Sequence, residues 1–226
     1  DSPEESGDYT FQFATNIPCP GMPTVSYEGQ VYNTIQIFSQ CWLKENLNVG
    51  LMIPGDQQME NNGIIEKYCY NNDNSQCEIF GGLYLWDEIM NYTNQQGVQG
   101  ICPPGWHIPT DSDWKVLEGA VDSQYKIGDP IWEDDQVRGF DVGKNLKSVE
   151  GWNVPGGEDL FGFLGKPAGY SIYGAFWGRG NFAMIHGSTD KGADRVWVRY
   201  LHFNSDKISR YLSYKIYGHS VRCLKK

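Results

Sequence analysis

The sequence predicts an α+β fold of short helices packed on twisted antiparallel sheets, rich in loops and stapled by disulfides. Three observations carry this. A chain of 226 residues with 40% apolar and 14% aromatic content can bury a sizeable core within one large domain. Its 27 glycines, 14 tyrosines and 8 tryptophans suit many short elements, because glycine supplies special backbone angles and aromatic rings supply buried area without long helices. Helical spacings in the middle of the chain then give way to alternating patterns towards the C-terminus.

The elements follow in chain order. Residues 1–18 open with DSPEESGD, acidic and poor in apolar side chains, and read as a flexible tether of a processed product, with the folded domain expected over 19–226. Val31, Ile35 and Ile37 alternate in a strand that Cys41 to Leu47 continues. Leu51 to Lys67, rich in Asn, Gln and Gly, reads as an irregular excursion. Leu85, Ile89 and Tyr92 recur at helical spacing.

The best-signalled helix follows Pro109. Thr110 can cap its free amides, Asp111 and Asp113 suit the positive first turn, and Trp114, Leu117 and Val121 form one apolar stripe. Residues 122–140 read as an acidic inserted loop, and Val142, Leu146 and Val149 as a third short helix ending at Gly151. Val196 to Phe203 alternates, with Trp197, Arg199 and Leu201 on one face and Val198, Tyr200 and His202 on the other. Ile208 to Ile216 and Ser220 to Leu224 complete an antiparallel set. Trp42, Trp86, Trp106, Trp114 and Trp197 are expected in the core.

Six cysteines, Cys19, Cys41, Cys69, Cys77, Cys102 and Cys223, include no C-x-x-C pair, which disfavours thioredoxin-like redox chemistry and a zinc knuckle. Disulfides in an exported protein are the better reading, set against six buried thiols in a reducing compartment. Composition leaves all 15 pairings of six cysteines open.

The net charge of −10 argues against a nucleic-acid partner, which needs a basic footprint. That charge is uneven. Nine Lys or Arg stand against Asp194 and Asp206 from Lys191 to Lys226, a balance of +7 that leaves −17 for residues 1–190. Internal neutralisation against an acidic body is the favoured explanation, ahead of an electropositive surface for an anionic ligand.

Three stretches, VYNTIQIFSQCWLKENLNVG, YCYNNDNSQCEIFGGLYLWDE and QGICPPGWHIPTDSDW, together with the closing YGHSVRCL, resemble the Fibrobacter succinogenes major paralogous domain over about residues 19–226. The resemblance implies a secreted or lipid-anchored bacterial surface protein with a fold similar to C-type lectin and formylglycine-generating-enzyme domains. In such a fold YGHSVRCL is the last strand, returning beside the start of the domain. The pairings implied are Cys102–Cys223, Cys69–Cys77 and Cys19–Cys41. Formylglycine chemistry relies on reduced, copper-binding cysteines and is not carried over.

No catalytic constellation emerges from the residues. His107, His186, His202 and His219 lie in no metalloprotease or nucleophile–base motif, and His107 and His219 read as structural. Paired carboxylates are too abundant to single out a glycosidase acid and base. Asn71, Asn72, Asp73 and Asn74 offer oxygens to calcium, but an Asx-rich turn is the favoured reading, and the lectin triplet Glu-Pro-Asn is absent.

Ala168 to Tyr217 carries the binding chemistry. Tyr173, Trp177, Tyr211 and Tyr214 can stack on a sugar face, while Asn181, Arg199, His202, Asn204, Lys207 and Arg210 can orient hydroxyls. The expectation is a non-catalytic extracellular domain that recognises polysaccharide or host glycan. A protein–protein adhesion or envelope-assembly module is the alternative, and a glycan-active enzyme, requiring two carboxylates across a cleft, the third.

Overall fold

The computed structural model describes residues 16–226, so most of the expected tether lies outside the described residues. The N-terminal hairpin consists of β1 (Thr24–Tyr27) and β2 (Gln30–Ile37), followed by β3 (Gln40–Leu43), β4 (Leu51–Met52) and β5 (Glu66–Lys67). Next come α1 (Asn74–Phe80), α2 (Trp86–Ile89), β6 (Trp106–His107), α3 (Asp111–Val121), β7 (Gln136–Arg138) and α4 (Val142–Leu146). The C-terminal part holds β8 (Tyr170–Ile172), β9 (Ala175–Trp177), β10 (Phe182–Asp190), β11 (Arg195–His202), β12 (Ile208–Tyr214) and β13 (Leu224–Lys225).

Sheet dominates and the helices are short. One five-stranded sheet has the order β1-β2-β3-β13-β6, so the last strand returns between strands from the first half of the chain. A four-stranded antiparallel sheet has the order β10-β11-β12-β7, and β8 pairs with β9 in a hairpin. The backbone already joins this framework at Ile17, whose carbonyl accepts from Gln36 N at 2.8 Å.

α3 forms where its sequence demands. Thr110 Oγ1 accepts from Asp113 N while the Asp113 carboxylate accepts from Thr110 N, a reciprocal capping box that satisfies two orphan donors. Its apolar stripe, Trp114, Leu117 and Val121, packs with Ile35 and Ile37 of β2 and with Ala183, Ile185, Leu201 and Ile208 of the four-stranded sheet. Trp42, Trp114 and Phe163 meet at the centre, with ring centroids 5.1–6.0 Å apart. All five tryptophans expected in the core are buried.

The polar edge of α3 penetrates the same core. Glu118 is fully buried and accepts from Arg138 Nη2 of β7 and Arg199 Nε of β11. Asp111, one helical segment earlier, receives Arg199 Nη2 at 2.9 Å, Arg210 Nη2 at 2.7 Å and Lys115 Nζ at 3.0 Å. Burial pushes the Asp111 carboxyl up, but Arg199, Arg210 and Lys115 outweigh it and hold the carboxyl well below its ordinary range. Arg210 also lies 3.9 Å over the Trp197 ring. Two arginines of the basic C-terminal segment thus lie against an acidic helix, part of the internal neutralisation favoured by the charge count.

Three disulfides close the framework. Cys19–Cys41 ties the entering chain to β3, Cys69–Cys77 closes the turn into α1, and Cys102–Cys223 joins the approach to β6 with the approach to β13. These are the pairs the resemblance implies.

Several local expectations need correction. α4 stops at Lys147, and Val149 is 60% exposed, because the chain turns to pair Ser148 N with Gly165 O at 3.0 Å. The helix expected around Leu85–Tyr92 covers only Trp86–Ile89, and its C-terminal neighbours Asn91 and Tyr92 are left-handed. The expected loop over 122–140 contains β7, which pairs with β12 and delivers Arg138 to Glu118. Of Ser220–Leu224 only Leu224 is strand, because Ser220 to Arg222 satisfy their backbone by irregular bonds such as Leu47 N to Val221 O. β10 and α1 escaped the sequence reading. His186, Gly187 and Ser188 interrupt the apolar pattern of β10, and Asp73 starts α1 by capping Ser75 N inside a turn-rich stretch.

Two stability predictions result. Loop closure favours the bridge spanning 121 residues over the one spanning 8, so the Cys102→Ala/Cys223→Ala variant should lose about 5 kcal/mol and Cys69→Ala/Cys77→Ala about 2.5 kcal/mol in urea unfolding. Glu118→Gln leaves two buried guanidinium groups short of their counter-charge and should cost about 3–5 kcal/mol in the same measurement.

Candidate functional site

Strand alternation sorts the four-stranded sheet into two faces. Cross-strand pairs share a face, so Trp197 with Leu212, Arg199 with Arg210 and Leu201 with Ile208 all point to α3. The opposite face carries Met184 with Tyr200, Phe182 with His202, Val198 with Tyr211 and Val196 with Ser213. At one end of this second face His186, Val196 and Val198 are covered by the core around Trp86 and the Cys102–Cys223 bridge. At the other end it is open.

That opening is a cleft of about 360 Å³ lined by Tyr170, Ile172, Phe182, Met184, Tyr200, Tyr211, Ser213, Tyr217 and His219. The β8–β9 hairpin forms one wall, presenting Tyr170 and Ile172. The hairpin is anchored by reciprocal backbone bonds of 2.9 Å between Ser171 and Gly218. Aromatic contacts run around the wall: Tyr170 stacks on Phe182 at 6.1 Å, Phe182 meets Tyr200 at 5.3 Å, and Tyr217 meets His219 at 6.5 Å. Gly178, with φ of 73°, allows the close packing of Phe182, since a Cβ there would lie 2.1 Å from its ring.

The phenol hydroxyls of the cleft differ from those of Tyr32, Tyr68, Tyr84 and Tyr92, although Tyr27, Tyr70, Tyr125, Tyr173 and Tyr214 likewise bond no protein group among the described residues. Tyr32, Tyr68, Tyr84 and Tyr92 hydroxyls all bond to protein groups at 2.7–3.0 Å. Among the described residues, none of the cleft hydroxyls on Tyr170, Tyr200, Tyr211 and Tyr217 does so, which leaves four donor–acceptor groups free around an apolar wall. Burial raises the Tyr170, Tyr200 and Tyr217 phenols above their ordinary range, and neighbouring tyrosines add to the rise, so all three stay neutral donors.

The residues singled out from the sequence fall into four groups. Tyr211, 48% exposed, lines the cleft; Trp177 shares the hairpin face of Tyr170 at its rim, and His202 packs on Phe182 with ring centroids 5.2 Å apart. Tyr173, at the hairpin turn, approaches Tyr217 at 6.3 Å, while Tyr214 is held beneath the Arg195 guanidinium at 3.5 Å. Asn181 accepts from Asn153 Nδ2 at 2.9 Å, and Asn204 and Lys207 lie exposed in the turn between β11 and β12.

Arg199 and Arg210 require correction. Both are buried on the α3 face, bound to Glu118 and Asp111, and so are turned away from the cleft. Alternation already carries this, because Arg199 shares a face with the core residue Trp197. The same signal identifies Tyr200, which shares the face of His202. Tyr170, Phe182, Met184, Ser213, Tyr217 and His219 were missed because the β8–β9 hairpin and β10 were not recognised as strands or because their role depends on tertiary packing.

One buried imidazole, His219, lines the cleft floor, and a second, His186, lies beside it in the covered core. His219 Nε2 lies 2.7 Å from Ser213 Oγ, and His186 Nε2 lies 2.9 Å from Tyr84 O, with the two rings 4.9 Å apart. The Nδ1 of each has no hydrogen-bond partner, so the Ser213–His219 pair lacks the orienting group of a hydrolytic triad. Among the described residues no carboxylate lines the cleft, and they do not assemble the paired acids of a glycosidase there. His107 instead bonds Asp113 at 3.2 Å beside the capping box.

The Asn-rich turn serves α1. Asp73 accepts from Ser75 N at 2.9 Å and Asn72 Oδ1 accepts from Gly55 N at 2.8 Å, with Asn71 and Asn72 in left-handed conformations. A further groove of about 490 Å³ is lined by Asn16, Phe38, Val121 and Phe161.

Burial lowers His186 to about 4 and His219 well below its ordinary value, the latter with help from His186. The unfolded chain takes up these protons near pH 6.5 and the folded one only near 4 for His186. Stability from that group is therefore complete above pH 6.5 and falls by about 3 kcal/mol as the pH drops towards 4. Urea midpoints across this window should show the loss, and His186→Gln should flatten this component of the slope.

No curated protein and no solved structure matches the chain. The model of the Fibrobacter succinogenes major domain matches residues 35–225, a span that holds α3, its buried ion cluster and every residue of the cleft. The chain belongs to the Fibrobacter succinogenes major domain family.

Proposed function

We propose that this protein is a non-catalytic extracellular recognition domain that binds polysaccharide or host glycan through the cleft of Tyr170, Phe182, Tyr200, Tyr211 and Tyr217. The observation that carries this reading is the set of free phenol hydroxyls around an aromatic wall. Sugars present apolar C–H faces that pack on rings and hydroxyls that need directional partners, and tyrosine supplies both. In this reading the three disulfides suit an oxidising setting, and the scaffold is C-type-lectin-like with a lipid anchor on the precursor.

The alternative, a protein–protein adhesion or envelope-assembly module, draws on the exposed Tyr173 and Trp177 at the cleft rim, 73% and 56% accessible. Affinity electrophoresis through gels containing plant, host or bacterial polysaccharides separates the two. Retardation is expected with at least one polysaccharide, and Tyr200→Ala should weaken it about tenfold by removing a ring and a hydroxyl together. Tyr200→Phe should retain most of the stacking and lose less. Uniform migration in every gel, with capture of an envelope protein that Trp177→Ala abolishes, would replace the glycan reading with the alternative.

A further inference from the structure

The composition of the cleft narrows the ligand. Its walls contain tyrosine, phenylalanine, isoleucine, methionine, serine and a buried neutral histidine, and among the described residues no Asp, Glu, Lys or Arg lines it. The cations that the sequence places nearby are engaged elsewhere. Arg199 and Arg210 serve Asp111 and Glu118, and Lys215 donates to Asp190 at 2.9 Å. Arg195 lies over the outer ring Tyr214 at 3.5 Å and within 3.9 Å of Asp194. Arg222 is fully buried and donates to the carbonyls of Leu43, Phe163 and Leu164.

We infer, building on the glycan reading, that the cleft selects uncharged sugars and rejects glycans whose recognition depends on a carboxylate or sulfate. A uronate, sialate or sulfated residue placed between these rings would shed water without meeting a counter-charge, and burying an unpaired charge is costly. The molecule's net charge of −10 adds a long-range penalty for polyanions. A neutral hexose loses nothing of this kind, because each hydroxyl that leaves water can meet a free phenol. The same features make binding nearly independent of salt, since no ion pair forms and no counterion is released. Of the basic C-terminal segment, Arg199, Arg210 and Arg222 work inside the fold.

The test uses the whole chain in affinity gels with neutral polymers (hydroxyethylcellulose, glucomannan, galactan) and anionic ones (polygalacturonate, alginate, heparin), each at 20 and 500 mM NaCl. Retardation is expected with a neutral polymer, changing less than twofold between the two salt concentrations, and with none of the anionic ones. Tyr200→Ala should weaken it about tenfold, whereas Lys207→Ala, in the exposed turn beyond the cleft, should leave it unchanged. Retardation by anionic polymers alone, lost at 500 mM NaCl or on Lys207→Ala, would overturn the selection of uncharged sugars while preserving a glycan-binding function. Failure of all six polymers, together with failure of host and bacterial glycans, would overturn both.

Discussion

The buried cluster in which Glu118 and Asp111 hold Arg138, Arg199 and Arg210 is the constraint from which the rest of the architecture follows. It binds α3 to β7, β11 and β12 through groups that cannot be left unpaired away from water. Because side chains alternate along a strand, fixing Arg199 and Arg210 inward fixes Tyr200 and Tyr211 outward. A slip of one residue would bury tyrosines against α3 and turn the arginines into the cleft. The ion cluster and the binding face are two consequences of one register.

Charge placement follows the same logic elsewhere. Arg222 has no carboxylate within its cage; it is met by carbonyl oxygens, by Asn46 Oδ1 at 2.8 Å and by the Phe163 ring at 4.4 Å, and burial lowers it to about 10. Lys147 donates to Ser205 O at 3.0 Å and lies 5.4 Å from the Trp152 ring. Both cations pin irregular segments that no sheet ladder could hold. The chain meets the backbone demands of a loop-rich fold by spending basic side chains on carbonyls, and Cys102–Cys223 fastens the returning C-terminus beside them.

What could be read beforehand depended on whether a signal was local. Thr110, Asp113, Trp114, Leu117 and Val121 announce α3 because capping and periodicity lie within one short stretch. The alternation of Val196 to Phe203 equally separates Arg199 from Tyr200, yet side-chain chemistry taken alone points to the arginine as a ligand-binding group. The partner of that arginine, Glu118, lies 81 positions away, beyond the reach of any local pattern. β7 was hidden inside an acidic stretch, and β10 behind His186 and Ser188, whose Nε2 and Oγ meet distant backbone carbonyls. Tyr170 and Tyr217 become neighbours of Tyr200 only when the hairpin closes over the sheet.

The cleft is therefore the solvent-facing remainder of a sheet whose other face is fully committed, and its neutrality reflects where the arginines went. The most direct measurement of this account is an NMR titration of the tyrosine and arginine side chains with a neutral oligosaccharide. The account predicts the largest shifts at the rings of Tyr170, Tyr200, Tyr211 and Tyr217, with the Arg199 and Arg210 guanidinium signals unmoved. Shifts centred on those guanidinium groups, with the four rings unchanged, would contradict it.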